Sequence, residues 1–351
     1  MSSPQDATGH SILVLSSSYP RWPGDSAGHF VQNEVHQLLA QGHRVTVFAG
    51  GSPVAEARAP GQEAPDLRAR SPRETVRFWG ASAVFDHPGA LARLAERPWR
   101  ALALALPLAH SLWLRWWQAE HFDRMIAHFA LPSAFPIAGL VNRNKVPLQV
   151  VFHGSDLRLL LRLPIPLRAC IFRQLSRPHV SLRLVSHEQK RKLLQSNLSS
   201  AFLEKVQQAQ VQPSPLGLEP ERCPSQARAL LGLPSQARLA VVVGRLVASK
   251  RTELALRAAA LVPNLKVVVV GDGPLRDDLR AQFPAARFVG QLARDEALRW
   301  ISAADLLLCS SLHEGAPTAI REARALDVAV VTSDVGDVKR WAKSDEDIWV
   351  V

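Results

Sequence analysis

Short runs of β-branched and aliphatic residues alternate along the chain with longer stretches in which apolar positions recur at helical spacing. Residues 11–16 (SILVLS) and 44–49 (RVTVFA) read as strands. Between them a loop rich in Ser, Pro and Gly leads into a helix from about residue 28 to 40, which Gly42 ends. Further strands are predicted over 123–128, 148–152, 183–186 and 208–212, and Ser186-His187-Glu188-Gln189 has the form of a capping box opening the next helix. Residues 51–72, rich in Pro, Ala and Arg, read as a loop or lid, and 89–120 as a long helical region kinked at Pro98 or Pro107. Pro213-Ser214-Pro215-Leu216-Gly217 reads as a linker, after which the alternation restarts. Strands at 239–243, 266–270, 286–289, 305–309 and 328–332 are separated by helical stretches, clearest at 249–261 and 317–326, and 348–351 begins one more strand. Such alternation predicts an α/β fold of parallel sheets with crossover helices, in two domains, 1–213 and 214–351.

Composition narrows the function class. With 47% apolar and 21% charged residues among 351, the chain is neither disordered, collagen-like nor a coiled coil. Three widely spaced cysteines, Cys170, Cys223 and Cys309, support neither a disulfide framework nor a four-ligand zinc site, and fit a reducing compartment. Residues 1–10 lack the basic-then-apolar order of a signal peptide. The longest uncharged apolar run, 101–114, has 14 residues, short of the roughly 20 that span a membrane. These features place the chain in the cytoplasm. The net charge of +11 is uneven: residues 1–213 hold 24 Lys and Arg against 14 Asp and Glu, whereas 214–351 hold 18 against 17. A basic first half suits anionic lipid or a phosphate-bearing acceptor. Trp99, Arg100, Trp113, Arg115, Trp116 and Trp117 border the 101–114 run, as in a segment lying at the cytoplasmic face of a membrane, or in a helix packed on the first sheet. No basic motif interleaved with aromatics points to nucleic acid.

Four segments carry candidate chemistry. The loop from Ser16 through Ala27-Gly28 joins a strand to a helix, where amides attract phosphate and glycine permits close approach; taken alone, such a loop is more often a plain turn than a ligand site. No G-x-G-x-x-G or G-x-x-x-x-G-K-[ST] is present, which disfavours a nicotinamide dinucleotide or P-loop site. His153-Gly154-Ser155-Asp156 follows a strand, where α/β sheets bind ligands, so His153 is a candidate substrate contact and the alternative is a helix cap with an incidental histidine. His128, at another strand end, reads as structural. Arg245 and Lys250 follow the strand at 239–243, where cations clamp a diphosphate leaving group; a solvated charge pair is the alternative. The segment His313-Glu314-Gly315-Ala316-Pro317-Thr318 leads to Glu322 on a helix. Two carboxylates can there accept hydrogen bonds from two sets of sugar hydroxyls, around a helix N-terminus that favours phosphate.

Taken in order, these segments resemble the family 4 retaining glycosyltransferases, which have the GT-B fold. The resemblance runs from Tyr19-Pro20 … Gly28-His29-Phe30-Val31 through Phe122–Pro132, His153-Gly154-Ser155-Asp156, Pro215-Leu216-Gly217-Leu218-Glu219, Gly244-Arg245-Leu246 … Lys250 and Gly271-Asp272-Gly273-Pro274 to Glu314-x7-Glu322. It implies two facing Rossmann-like domains, the first taking the acceptor and the second a UDP- or GDP-sugar, with a sugar transferred to a glycan or lipid-linked acceptor in cell-surface polysaccharide or glycolipid synthesis. Under this resemblance Arg245 and Lys250 bind the diphosphate, Glu314 holds the transferred sugar and the backbone of Gly315, Ala316, Pro317 and Thr318 lies beside it. Glu322 holds the ribose, Gly28 lets the first loop approach the phosphates, and His153 lies at the reaction centre. No metal and no cofactor are implied. Two departures stand out: Ala27 replaces the first glycine of a pair, and the crossover helices that close the fold are missing after 351, so a fragment is expected. A nucleotide-sugar epimerase, an inactive nucleotide-sugar binder and a nucleic-acid binder are the rival readings.

Overall fold

A computed structural model describes residues 9–21, 25, 27–50, 71–78, 122–135, 142, 145–218, 223–343 and 346–351. The expected lid at 51–72, the long helix at 89–120 and the tryptophans around the 101–114 run lie almost wholly outside the described residues, as does Glu219. The chain divides into two units, Met1–Pro215 and Leu216–Val351.

The first unit holds a seven-stranded sheet: β1 (Ser11–Ser16), β2 (Arg44–Ala49), β3 (Glu74–Phe78), β4 (Arg124–His128), β5 (Leu148–Phe152), β6 (Val180–Leu184) and β7 (Gln210–Val211). They lie in the order β3-β2-β1-β4-β5-β6-β7, and every pairing is parallel. Parallel sheets are covered on both faces, which is why the central strands are rich in aliphatic residues: all five residues of β5, Gln149 included, are buried. At the margin β3 is only half-buried, and its alternating ETVRF lacks an apolar run to announce it; it is the one described strand that the hydrophobic pattern missed. Strand β6 begins at Val180 rather than 183, because the buried face includes Val180 and Leu182 as well as Leu184.

Helix α1 (His29–Ala40) buries Val31, Glu34, Val35 and Leu38 on one face. Beyond β5 come α2 (Ser155–Arg162) and α3 (Ile165–Leu175), and beyond β6 come α4 (His187–Leu194) and α5 (Ser200–Gln208). At the start of α4, Ser186 Oγ accepts from the Gln189 amide as predicted, but the Gln189 side chain accepts from the amide of Val185, one residue earlier than a capping box requires.

The second unit repeats the plan with β8 (Arg238–Val243), β9 (Leu265–Val270), β10 (Arg287–Gly290), β11 (Leu306–Cys309), β12 (Ala329–Thr332) and β13 (Ile348–Val350), in the parallel order β10-β9-β8-β11-β12-β13. Helices α6 (Pro224–Leu230), α7 (Thr252–Ala260), α8 (Arg276–Gln282), α9 (Arg294–Ala303), α10 (Thr318–Ala325) and α11 (Val338–Ala342) complete it. The helix expected at 249–261 begins at Thr252. Before it runs a 3₁₀ turn, Ala248–Lys250, and Arg251 between them adopts a left-handed backbone (φ 48°).

Two glycines let adjacent β-α loops press together. Gly271 has φ 139°, and a Cβ there would lie 1.9 Å from the Gly244 carbonyl oxygen; a Cβ on Gly273 would lie 2.4 Å from that of Leu246. The Leu246 amide donates to Asp272 O at 2.8 Å and Leu275 N to Leu246 O at 3.1 Å, so these backbones are bonded to one another. Gly271→Ala should therefore destabilise the second unit by at least about 2 kcal/mol. Gly232→Ala, at φ 63° with nothing within 4 Å of the new methyl, should cost only the left-handed backbone term of about 1–2 kcal/mol. Urea unfolding of both variants checks the difference; equal losses would remove the contact as the reason for Gly271.

Candidate active site

In each sheet the strand order reverses once, and loops on either side of a reversal leave the carboxyl ends of neighbouring strands in opposite directions, opening a crevice. In the second unit the reversal falls between β8 and β11, and in the first between β1 and β4. The sequence-predicted residues divide between these two places.

Arg245, exposed, and Lys250 follow β8; Glu314 through Thr318 follow β11. Lys250 Nζ and Glu314 Oε1 form an ion pair across the reversal. The two loops are also tied through their backbones. Arg251 Nε donates to Ser310 O at 2.8 Å, Ser310 Oγ donates to Arg251 O at 2.6 Å, and the Leu312 amide donates to Ser249 O at 2.8 Å. Lys250 lies along Gly244, its Cε 3.8 Å from where a Cβ would stand.

Helix α10 starts at Thr318 after Pro317, and no side chain caps its first turn. Gly315, buried, presses its carbonyl against Gly336, where a Cβ would approach it to 2.5 Å. The α10 N-terminus and Glu314 thus meet at one end of β11. Glu322, a turn into α10, is buried and receives Arg294 Nε on Oε1 at 3.3 Å; Arg294 in turn donates to Leu216 O at 2.5 Å. Burial raises the pKa of Glu322, opposed by the charge and hydrogen bond of Arg294 and the charge of Arg321. Burial likewise lowers that of Arg321.

In the first unit, Gly28 caps α1 with φ 69°, and a Cβ there would lie 2.3 Å from the Ser18 carbonyl oxygen. The folding of this loop on itself requires the glycine before any ligand does. Tyr19, buried in the same loop, donates to Glu74 Oε1 on β3 at 2.8 Å.

His153 sits after β5 in a turn held by Asp156. Oδ1 of Asp156 accepts from the His153 and Gly154 amides at 3.0 Å each, and Oδ2 from Ala130 at 2.8 Å. Burial pushes the Asp156 carboxyl up to about 6, against the pull of these amides. The ring of His153 packs on Phe30 and Phe129, at centroid distances of 4.7 and 4.6 Å. Phe129 holds an uncommon backbone (φ 72°, ψ 123°) beside it. His153 Nε2 lies 3.0 Å from Nδ1 of His128, which is fully buried at the end of β4.

Arg251 lies in the segment that carries Arg245 and Lys250, whereas Ser310, Arg294, Glu34 and Arg183 were missed by sequence reasoning. For two of them a signal existed: Glu34 interrupts the apolar face of α1, and Arg183 stands inside an apolar strand. Among the described residues no group of three or more His, Cys, Asp or Glu could hold a metal ion. None of the described helices is long and apolar enough to cross a membrane.

Residues 237–351 match the family model described as Glycosyl transferases group 1. TuaC of Bacillus subtilis, named for teichuronic acid biosynthesis as a glycosyltransferase, is 33% identical over 219 residues, 62% of this chain and 54% of TuaC. The chain thus spans about half the length of that relative, and a smaller share of the mycobacterial D-inositol 3-phosphate glycosyltransferases, 27% in that of Mycolicibacterium gilvum. Among solved structures, sucrose-phosphate synthase from Thermosynechococcus elongatus superposes with a TM-score of 0.68 at 17% identity, over 97% of this chain and 86% of the other. Anabaena HepE, solved with UDP and glucose, superposes at 0.55 and 15% identity, over 94% and 82%. Residues 237–351 are thus similar to the glycosyl transferases group 1, and the two Rossmann-like units have the fold of the GT-B glycosyltransferases.

Proposed function

We propose that the protein transfers a sugar from a nucleoside-diphosphate sugar to a hydroxyl of a glycan or lipid-linked acceptor in polysaccharide synthesis, with retention at the anomeric carbon. The observation that carries this reading is the Lys250–Glu314 pair beside the α10 N-terminus, at the strand reversal of the group 1 region. A cation, a carboxylate and a helix N-terminus at one point suit a sugar joined to a diphosphate. UDP and glucose in HepE, and the teichuronic acid role in TuaC's name, support the donor and product classes.

In this reading Arg245 and Lys250, with the α10 amides, offset the charge that develops on the departing diphosphate, so the reaction needs no bound metal or cofactor. Glu314 accepts hydrogen bonds from hydroxyls of the transferred sugar, and Glu322 from those of the ribose. His153 contacts the sugar at the reacting centre. The acceptor oxygen attacks the anomeric carbon on the face from which the diphosphate leaves. The carbon–oxygen bond to the phosphate breaks, and a phosphate oxygen takes the acceptor's proton. The first unit takes the acceptor; its basic balance suits an anionic cytoplasmic membrane surface on which a lipid-linked acceptor would be presented.

Arg245→Ala, Lys250→Ala and Glu322→Ala should each weaken donor binding by about 1.5–3 kcal/mol without unfolding the protein, because each removes a charge-assisted hydrogen bond. Calorimetry with UDP-, GDP- and ADP-sugars measures this, and undiminished affinity in all three variants would remove the site. A pH dependence follows from burial. Since the pKa of Glu322 is raised above 4.5, the group takes up its proton at higher pH than an ordinary glutamate. Donor affinity should accordingly begin to fall on acidification while exposed carboxylates are still ionised. Glu322→Gln should flatten that limb, and an unchanged pH profile in Glu322→Gln would exclude it as the titrating group.

A further inference from the structure

Glu34 and Arg183 form an ion pair inside the first unit, 2.5 Å between Nη2 and Oε2, that the reaction above does not use. Both side chains are buried, which is costly for charges unless each serves the other and a third group. The third group is His128. The same Glu34 oxygen lies 3.7 Å from His128 Nε2, which has no hydrogen-bond partner among the described residues. The opposite nitrogen of that ring, Nδ1, is 3.0 Å from His153 Nε2. A line of contacts therefore runs from Arg183 on β6 through Glu34 on α1 and His128 on β4 to His153 beyond β5.

Burial lowers the pKa of both histidines well below 6.5, and Arg183 lowers both further; His128 adds to the effect at His153, where Glu34 opposes it. Two neutral imidazoles carry one N–H each, and a 3.0 Å contact between their nitrogens requires one to donate and the other to accept. If His128 donated from Nδ1, its Nε2 lone pair would face the Glu34 carboxylate in a buried site, an electrostatic repulsion weakly screened there. If instead His128 carries its proton on Nε2, that N–H points toward the carboxylate and Nδ1 accepts from His153. The proton of His153 is then on Nε2, and its Nδ1, which makes no hydrogen bond among the described residues, is left as the acceptor.

We infer that His128, oriented by Glu34 and Arg183, is a positioning residue that locks His153 in the Nε2–H tautomer, so that His153 meets its substrate as a hydrogen-bond acceptor at Nδ1, for a sugar hydroxyl. The functional half rests on the reading that places His153 at the reaction centre. The lock itself is a property of the unliganded protein. Asp156 is the other ionisable group at His153, and it reaches only the backbone amide.

Long-range proton–nitrogen correlation spectra of the full chain, labelled with nitrogen-15 in histidine and assigned with His153→Ala, read the tautomers directly. Both rings are expected as Nε2–H. His128→Asn places a polar atom near the Nδ1 position and should keep His153 in that form. His128→Gln places one near the Nε2 position and should release His153 into a mixture of tautomers. With UDP-glucose as probe donor, turnover should fall by about 10²-fold in His128→Gln, with KM little changed, and recover in His128→Asn. An Nδ1–H tautomer at His153 in the unmodified protein, or an unchanged tautomer in His128→Gln, would overturn the lock. Full turnover in His153→Ala would instead overturn the role of His153 in the reaction, an outcome the spectra of the unliganded protein do not depend on.

Discussion

The reversal of strand order between β8 and β11 is the constraint on which the proposed donor site depends. A parallel sheet sends every connecting loop out at the same edge, and only where successive crossovers part in opposite directions does the backbone leave room for a ligand. Arg245 and Lys250 enter that room from one side and Glu314 from the other, 64 residues later for the Lys250 pair. The loops are tied to one another by hydrogen bonds to their backbone carbonyls. The Arg251–Ser310 and Leu312–Ser249 bonds hold them at a fixed separation, so the Lys250–Glu314 ion pair forms between anchored ends.

Glycine does similar work in both units. Gly28, Gly271 and Gly273 each stand where a Cβ would fall within 2.5 Å of a carbonyl oxygen. Such glycines look from the sequence like ligand-approach positions, and a resemblance to a nucleotide-binding family encourages that reading. The structure supplies a prior reason: the loops must pack on their own neighbours before they can present anything to a substrate. The two reasons are compatible, since a loop folded tightly on itself is also a rigid platform for the residues beside it.

The two carboxylates of the second unit sit in unlike surroundings despite their closeness in sequence. Glu314 pairs with a lysine on a loop, whereas Glu322 is buried on a helix and bonded to Arg294, itself bonded to the carbonyl of Leu216 at the start of the unit. Burial raises the pKa of Glu322, and the charge and hydrogen bond of Arg294 oppose that rise. A helix in the first unit shows the same economy in its core: Glu34 occupies an apolar stripe because Arg183 on β6 and His128 on β4 approach it.

Local rules sufficed for most of the described strands, because strands in covered parallel sheets are rich in aliphatic residues, as in SILVLS, LQVVF and LKVVVV. They also sufficed for the ordered motifs that place Arg245, Lys250, Glu314 and Glu322 at strand ends or on the following helix. They failed at β3, where a margin strand with one open side has no need of an apolar run. Partnership was beyond them altogether. That Lys250 meets Glu314, that Arg294 meets Glu322, and that Glu34 and Arg183, 149 residues apart, pair beneath His128 are consequences of which strands become neighbours. The sequence by itself determined the elements and the residue types at their ends, since these follow from spacing and burial over a few residues. Strand order, a long-range outcome of how whole crossovers pack, decided which of those residues touch.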